Sequence, residues 1–342
     1  MNPTFSRRDF LKASAAGLLG LFLTELRIER AFAATTPKQG RILINGLGLF
    51  DAPSSSAREL KIFMRDEVIN IVGEATGDDP KAYNPTWYRT SEAGYIYSGW
   101  VQPVDTVYNK PVFEIPASGT LGEVTVPYSD SRLSASGFDK RGYRTYYGTT
   151  YWITGTAINR YEKSIWYQIY DEYLQESLYL AAQDLHLLSP EELAPLSQDV
   201  PDELKHIYVD ISTQTVTAFE DERPRLVSRT ATGRKRTTTP TGTFRTFHKG
   251  STVHMAANNL AAGSYDLPGV PWVSFFTRTG VSFHGTYWHN DYGKPRSAGC
   301  VNLPIQVAKF IFRWTKPIVP PDTRYLYQPG DGTRVEVVPS TS

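Results

Sequence analysis

HGTYWHNDYGKPRSAGCVN, residues His284 to Asn302, holds the only cysteine among 342 residues. The thiol of Cys300 follows Gly299 and is embedded in Ser297-Ala298-Gly299-Cys300-Val301-Asn302, and His284 lies sixteen positions upstream. A thiol attacks a carbonyl as thiolate, and with a free pKa of ~8.5 it needs a neighbouring imidazole or similar group to ionise near neutral pH. His284 follows the alternating run Gly280-Val281-Ser282-Phe283, which reads as a strand, and precedes Gly285, which permits a turn. The imidazole is thus expected at a strand end, where its Gly285 neighbour can orient it through a carbonyl. Gly299 lacks a Cβ, so the N–H groups around Cys300 can approach a ligand and hold a tetrahedral oxyanion. Ser297, Gly285 and Asn302 are further candidates for positioning the oxyanion or substrate. Asn302, two residues past Cys300, shares its face on a continuing strand and either orients substrate or fixes the loop. The pattern points to cysteine acyl transfer. A lone cysteine is ordinarily a small buried hydrophobe, but the preceding glycine and upstream histidine argue against that here. His284, His289 and Cys300 match no short-spaced zinc pattern and supply only three ligands, so neither metal nor cofactor is expected. Tyr287, Trp288 and Trp272 are candidates for lining the cleft, and His289 for a place in the loop beside it.

His284-Gly285-Thr286 followed by Ser297-x-Gly299-Cys300-Val301-Asn302 resembles the signature of the L,D-transpeptidase (YkuD-type) catalytic domain, which remodels bacterial peptidoglycan. Thr239-Pro240-Thr241-Gly242-Thr243-Phe244 is similar to that family's threonine-proline-x-glycine segment. The resemblance spans residues 203–340, about two fifths of the chain, and departs from the pattern at Ala298, where the family commonly has histidine. It implies a β-sandwich-like fold and a thioester on Cys300, with peptidoglycan stem peptides as donor and acceptor and carbapenems as inhibitors. Transpeptidation is expected. An L,D-carboxypeptidase using the same site and an inactive wall-binding protein are the alternatives.

Ser6-Arg7-Arg8-Asp9-Phe10-Leu11-Lys12 precedes the apolar run Ala13 to Leu23, and Ala31-Phe32-Ala33 has small residues at cleavage-site positions. This reads as a twin-arginine-type signal peptide over residues 1–33. The run is shorter than the ~20 residues of a membrane span, so the mature protein is expected without one, in the cell wall, periplasm or extracellular space. A single cysteine cannot form an intramolecular disulfide, and packing must supply stability.

The remainder is expected to be mainly β. Trp87-Tyr88-Arg89-Thr90, then Tyr95-Ile96-Tyr97 and Val101 to Val104, is echoed 79 residues later by Trp166-Tyr167-Gln168-Ile169, then Leu178-Tyr179-Leu180 and Leu185-His186-Leu187. Short alternating runs separated by turns predict two small barrels, over residues 40–106 and 107–188. The first resembles the bacterial SH3-like domains that accompany wall enzymes, the second more weakly. Residues 189–202 read as a linker with a short helix start at Ser189-Pro190. The 203–340 domain opens with a hairpin around Ser212-Thr213-Gln214, and its helical periodicity is confined to Ile305 to Trp314.

Charge divides the chain. Residues 34–202 carry 14 Lys and Arg against 22 Asp and Glu, a net of −8, and residues 203–342 carry 17 against 10, a net of +7. A basic catalytic half suits an anionic polymer or acidic stems, with Arg234-Lys235-Arg236 its densest cluster. No recognition helix or stacking aromatics interleave with the basic residues, so nucleic acid is not an expected partner. Replacing Arg7 and Arg8 together by Lys should leave precursor in the cytoplasm, read by immunoblotting of cell fractions; normal export of that variant would refute the leader assignment.

Overall fold

Alternating apolar runs broken by glycine, asparagine, aspartate and proline dictate short strands and tight turns, and the protein is mostly β, as the patterning predicts. The computed structural model describes residues 39–79, 81–136, 140–257 and 265–339. The leader expected over residues 1–33 lies outside them. Among the described residues no helix is long and apolar enough to cross a membrane.

Strands β1 (Gln39–Ile42), β2 (Leu47–Phe50), β3 (Glu59–Phe63), β4 (Val68–Thr76), β5 (Thr86–Thr90), β6 (Tyr95–Tyr97) and β7 (Val101–Val104) form one antiparallel sheet in the order β3-β2-β6-β5-β4-β1-β7. All seven contribute to a single apolar cluster that includes Ile42, Leu49, Phe63, Ile71, Tyr88, Ile96 and Val101, so the sheet is wrapped around its own core. A second sheet follows from β8 (Thr120–Val124), β9 (Tyr128–Arg132), β10 (Arg141–Tyr146), β11 (Thr150–Asn159), β12 (Ser164–Asp171), β13 (Glu176–Ala181) and β14 (Leu185–Leu187). Its order, β10-β9-β13-β12-β11-β8-β14, is the first order with seven added to every strand. The faint sequence echo is therefore a repeated topology. Trp87 on β5 answers Trp166 on β12, and the echoed runs on β6 and β7 answer those on β13 and β14.

The third unit contains two five-stranded sheets. One is built from β15 (Lys205–Asp210), β16 (Thr215–Glu220), β17 (Arg223–Arg229), β18 (Gly242–Arg245) and β24 (Arg334–Val338), ordered β17-β16-β15-β24-β18. The other uses β19 (His248–Ala257), β20 (Tyr265–Phe275), β21 (Ser282–Gly285), β22 (Val301–Leu303) and β23 (Tyr325–Tyr327), ordered β22-β21-β20-β19-β23. Helix α1 (Pro190–Leu193) precedes them, and α2 (Ile305–Trp314) leaves β22 through Pro304. One core joins Ile207, Val209, Val216 and Val335 of the first sheet to Phe283, Val301 and Leu303 of the second and to Val307, Ala308, Ile311 and Trp314 of α2. Lys249, fully buried, donates from Nζ to the carbonyls of Phe312 at 2.7 Å and Thr315 at 2.5 Å, satisfying acceptors that the end of α2 leaves open. Burial pushes its pKa well below the ordinary lysine value, and the charge of Lys205 adds to the effect.

The sequence suggests separable units, but the interfaces are closely packed. Leu121 and Trp152 of the second sheet, with Leu188 just beyond β14, belong to the core of the third unit. The segment read as a linker is docked on α2: Leu196 N–H donates to the Arg313 carbonyl at 3.0 Å, and Arg313 Nε to the Ala194 carbonyl at 2.8 Å. Part of the charge asymmetry is consumed internally, where Glu123 meets Lys309 at 3.4 Å and Glu172 meets Arg324 at 3.2 Å. Arg234, Lys235 and Arg236 remain exposed.

His254, which carries no sequence signal, is the most polar of these contacts. Its Nδ1 lies 2.8 Å from Asp171 of the second sheet and its Nε2 2.5 Å from Asp266 on β20. Both ring nitrogens face carboxylates, which only accept, so the bound state is the imidazolium. Burial alone pushes its pKa down, but the Asp171 and Asp266 hydrogen bonds and charges outweigh this and raise it. Burial raises the Asp171 carboxyl, and His254, the Leu174 N–H and Tyr143 bring it below its usual range. A raised histidine stabilises the fold fully below its unfolded pKa of ~6.5 and ceases to do so as pH rises through the folded value; a depressed aspartate stabilises above ~3.9 and ceases to do so as pH falls through its folded value. His254→Gln should therefore lose more unfolding free energy at pH 6 than at pH 9, measured by urea titration at both; equal losses would remove the ion pair from the account.

Candidate active site

The parallel pairing of β21 with β22 builds the site. Its register matches Phe283 with Val301, His284 with Asn302 and Gly285 with Leu303. Because side chains alternate, Phe283 and Val301 enter the core on one face while Ser282, His284, Asn302 and the adjoining Cys300 take the other. Ser282 Oγ and the Gly280 carbonyl each lie 3.7 Å from Cys300 Sγ. His284 is buried, with Nδ1 at 3.1 Å from the Gly285 carbonyl. A carbonyl only accepts, so Nδ1 carries the proton and Nε2 is left as the basic nitrogen. Burial alone would push the thiol up; the hydrogen bond and charge of His284, then the Ser282 backbone and hydroxyl, outweigh it and hold Cys300 below its ordinary value.

Gly299 has φ +127°, a conformation L side chains rarely adopt, so the backbone shape itself calls for glycine. Its N–H donates to Ser297 Oγ at 3.0 Å, and Ser297 Oγ donates to the Cys300 carbonyl at 2.5 Å. The Gly299 N–H is thus already engaged, which corrects its expected part in an oxyanion hole. Gly285 is a strand residue rather than a turn: a Cβ there would stand 2.8 Å from Pro271 Cγ, so its absence lets β21 pack closely. Asn302 is buried and fixes the loop. Its backbone exchanges two 3.0 Å bonds with Ala231, and its Nδ2 stands 2.9 Å from His289 Nε2. Burial, with the Arg296 charge, lowers His289 to about 3, so that imidazole is neutral.

The aromatic candidates divide. Trp288 stays beside His284, with ring centroids 5.7 Å apart. Tyr287 is buried, donates to the Pro268 carbonyl at 3.0 Å and stacks on Tyr146 of the second sheet. Trp272 is wholly buried in the core, edge-on to Phe312 at 5.5 Å. Both are packing residues rather than cleft lining, because the strand alternation and the inter-unit interface turn them inward. Ala298 is exposed.

Several contributors lay outside the sequence reading. Ser282 had a signal, since it precedes His284 by two residues on a strand. Thr239, in the threonine-proline segment, is buried: its hydroxyl accepts from Gly233 N–H at 2.9 Å and donates to the Gly299 carbonyl at 2.7 Å. That single hydroxyl ties the second motif to the turn that carries Cys300. Tyr265, at the start of β20, has its phenol pushed up by burial and by the Cys300 charge, which marks it as a neighbour of the thiol. It follows residues 258–264, and no motif singles it out. Thr239→Val should destabilise the protein by about 1–3 kcal/mol, since it strands a buried donor and a buried acceptor, and should slow Cys300 alkylation, whereas Thr239→Ser should stay near wild type. Urea titration and iodoacetamide kinetics check both.

Residues 204–337 match the sequence model of YkuD, the L,D-transpeptidase catalytic domain. No curated protein matches the chain significantly. Similar solved structures include an L,D-transpeptidase from Mycobacterium smegmatis, at 22% identity over 40% of this chain and 59% of that one, with a TM-score of 0.33. The catalytic domain of the Enterococcus faecium L,D-transpeptidase is 26% identical over 39% of this chain and 96% of its own, with a TM-score of 0.32. L,D-transpeptidase 1 from Mycobacterium tuberculosis is 21% identical over 40% of this chain and 62% of its own, with a TM-score of 0.29. The chain thus spans about three fifths of the Mycobacterium smegmatis protein. The similarity to the L,D-transpeptidase catalytic domain of the YkuD family is thus confined to residues 204–337, and the two repeated sheets precede the matched segment.

Proposed function

We propose that the protein is an exported L,D-transpeptidase that crosslinks peptidoglycan through a thioester on Cys300. The observation that carries this reading is the pairing of a depressed thiol with a histidine whose Nδ1 is committed to the Gly285 carbonyl. His284 Nε2 accepts the thiol proton. The Cys300 thiolate then attacks the carbonyl on the carboxyl side of the diamino acid at position three of a donor tetrapeptide stem. Cys300 N–H faces the oxyanion. Collapse of the tetrahedral adduct passes the proton from His284 to the departing D-alanine amine and leaves the thioester. An acceptor side-chain amine gives its proton to His284 as it attacks, which restores the thiol and closes the crosslink. The exposed Arg234-Lys235-Arg236 cluster suits the carboxylates of the stems, and the SH3-like reading of the repeated sheets suits a protein that works at the wall. Its expected place is outside the cytoplasm.

Incubation with purified sacculi should give crosslinked dimers and free D-alanine, identified by mass. D-alanine without dimers would assign the carboxypeptidase reaction instead. A carbapenem offers a strained carbonyl to the same thiolate, so the wild-type protein should gain one drug mass and Cys300→Ala none. His284→Ala should acylate at least tenfold more slowly near neutral pH, with part of the rate recovered at alkaline pH as the unassisted thiol ionises near ~8.5. An adduct on Cys300→Ala, or a His284→Ala rate equal to wild type at neutral pH, would overturn the pair.

A further inference from the structure

The middle of the stretch that connects His284 to Cys300, residues 287–291, is held in part by residues outside the catalytic domain. Asp291, in its middle, is fully buried. Its carboxylate pairs with Arg296 of the same stretch and accepts the hydroxyl of Tyr83, from the loop between β4 and β5 of the first repeated unit, at 2.9 and 3.1 Å and that of Tyr97, on β6, at 3.0 Å. Beside it, Asn290 N–H donates to the Gly99 carbonyl at 3.0 Å and its side-chain amide to the Ser98 carbonyl at 3.3 Å. A Cβ on Gly99 would stand 2.8 Å from Asp291 Oδ1 and 2.5 Å from Tyr97 Cε1, so a side chain there would have to displace that contact. Arg41, also buried, donates to the Tyr287 carbonyl at 2.6 Å.

The same stretch touches the reacting groups on its other side. Asp291 N–H donates to His289 Nδ1 at 3.3 Å, His289 Nε2 meets Asn302, and Asn302 is the register partner of His284. A buried carboxylate is tolerated only while donors surround it, so removing two of its donors must move it or the backbone that carries it. Burial, then Tyr83 and the Asp291 charge, push the Tyr97 phenol far up, so it remains a protonated donor throughout the physiological range.

We infer that Tyr83 and Tyr97 are positioning residues of the catalytic centre, which makes the first repeated sheet a working part of the active site. They act through Asp291 and the His289–Asn302 contact on the alignment of His284 with Cys300. The inference rests on the reading of Cys300 and His284 as the reacting pair.

The test uses the full mature chain, with Tyr83 and Tyr97 both changed to Phe. Iodoacetamide alkylation of Cys300 is followed from pH 5 to 10, and carbapenem acylation at neutral pH. Alignment lost at His284 should shift the alkylation midpoint upward toward the free-thiol value and slow acylation at least tenfold. Asp291→Asn added to the double variant removes the charge that lost its donors and should recover part of both. Tyr95→Phe, on the same strand, should change neither. A purely structural role would lower the melting temperature while leaving the alkylation midpoint in place. A wild-type midpoint and acylation rate in the folded double variant would overturn the inference and leave the Cys300–His284 reading intact, because that reading stands on Cys300→Ala and His284→Ala. Should the double variant not fold, Tyr97→Phe alone carries the same comparison, with a smaller shift expected and an unchanged midpoint overturning it.

Discussion

Parallel pairing between Ser282–Gly285 and Val301–Leu303 is the constraint from which the rest of the catalytic architecture follows. Two adjacent strands running the same way cannot be joined by a tight hairpin; the chain must leave one end and cross to the other. Here the crossing segment, residues 286–300, has no regular helix or strand, so its backbone and side-chain polar groups find no partners in a ladder of their own. In return, parity places a histidine and a cysteine from opposite ends of that crossing on one face, with Phe283 and Val301 anchoring the pair in the core from the other.

The partners for the crossing segment come from three directions, and each reflects a buried group that needs one. Residues Thr230 to Gly233 run alongside it: Ala231 pairs with Asn302, Gly233 bridges to Ser297, and Gln214 of the first hairpin turn steadies Thr232 through both side-chain atoms. Thr239 holds the Gly299 carbonyl. The first repeated sheet supplies hydroxyls, carbonyls and the Arg41 guanidinium to residues 287–291.

The two repeated sheets share a topology and divide the labour. The first offers polar groups to the crossing segment. The second offers apolar ones, with Leu121, Trp152 and Leu188 entering the catalytic core and Tyr146 stacking on Tyr287. It also carries the acidic residues that meet His254, Lys309 and Arg324. Opposite net charges on the two halves of the chain therefore serve an internal interface, in addition to whatever anionic partner the exposed Arg234-Lys235-Arg236 cluster attracts.

Local pattern determined much of this. Period-two alternation marks the β15–β16 hairpin, three-and-four spacing marks α2 from Ile305 to Trp314, and the 79-residue echo marks two sheets of one topology, because each depends on which side chains neighbour one another within a few residues. The pairing of Cys300 with His284 was legible because two short motifs stand in a fixed order. Tertiary structure alone decided which neighbours complete the site. Tyr83 and Tyr97 lie roughly two hundred residues from Asp291, Asp171 meets His254 across two units, and Trp272 turns into the core while Trp288 stands beside His284. Periodicity tells a side chain's face on its own element. It says nothing of which distant element will cover that face, and for a buried carboxylate such as Asp291 the covering element supplies most of the donors that make burial tolerable.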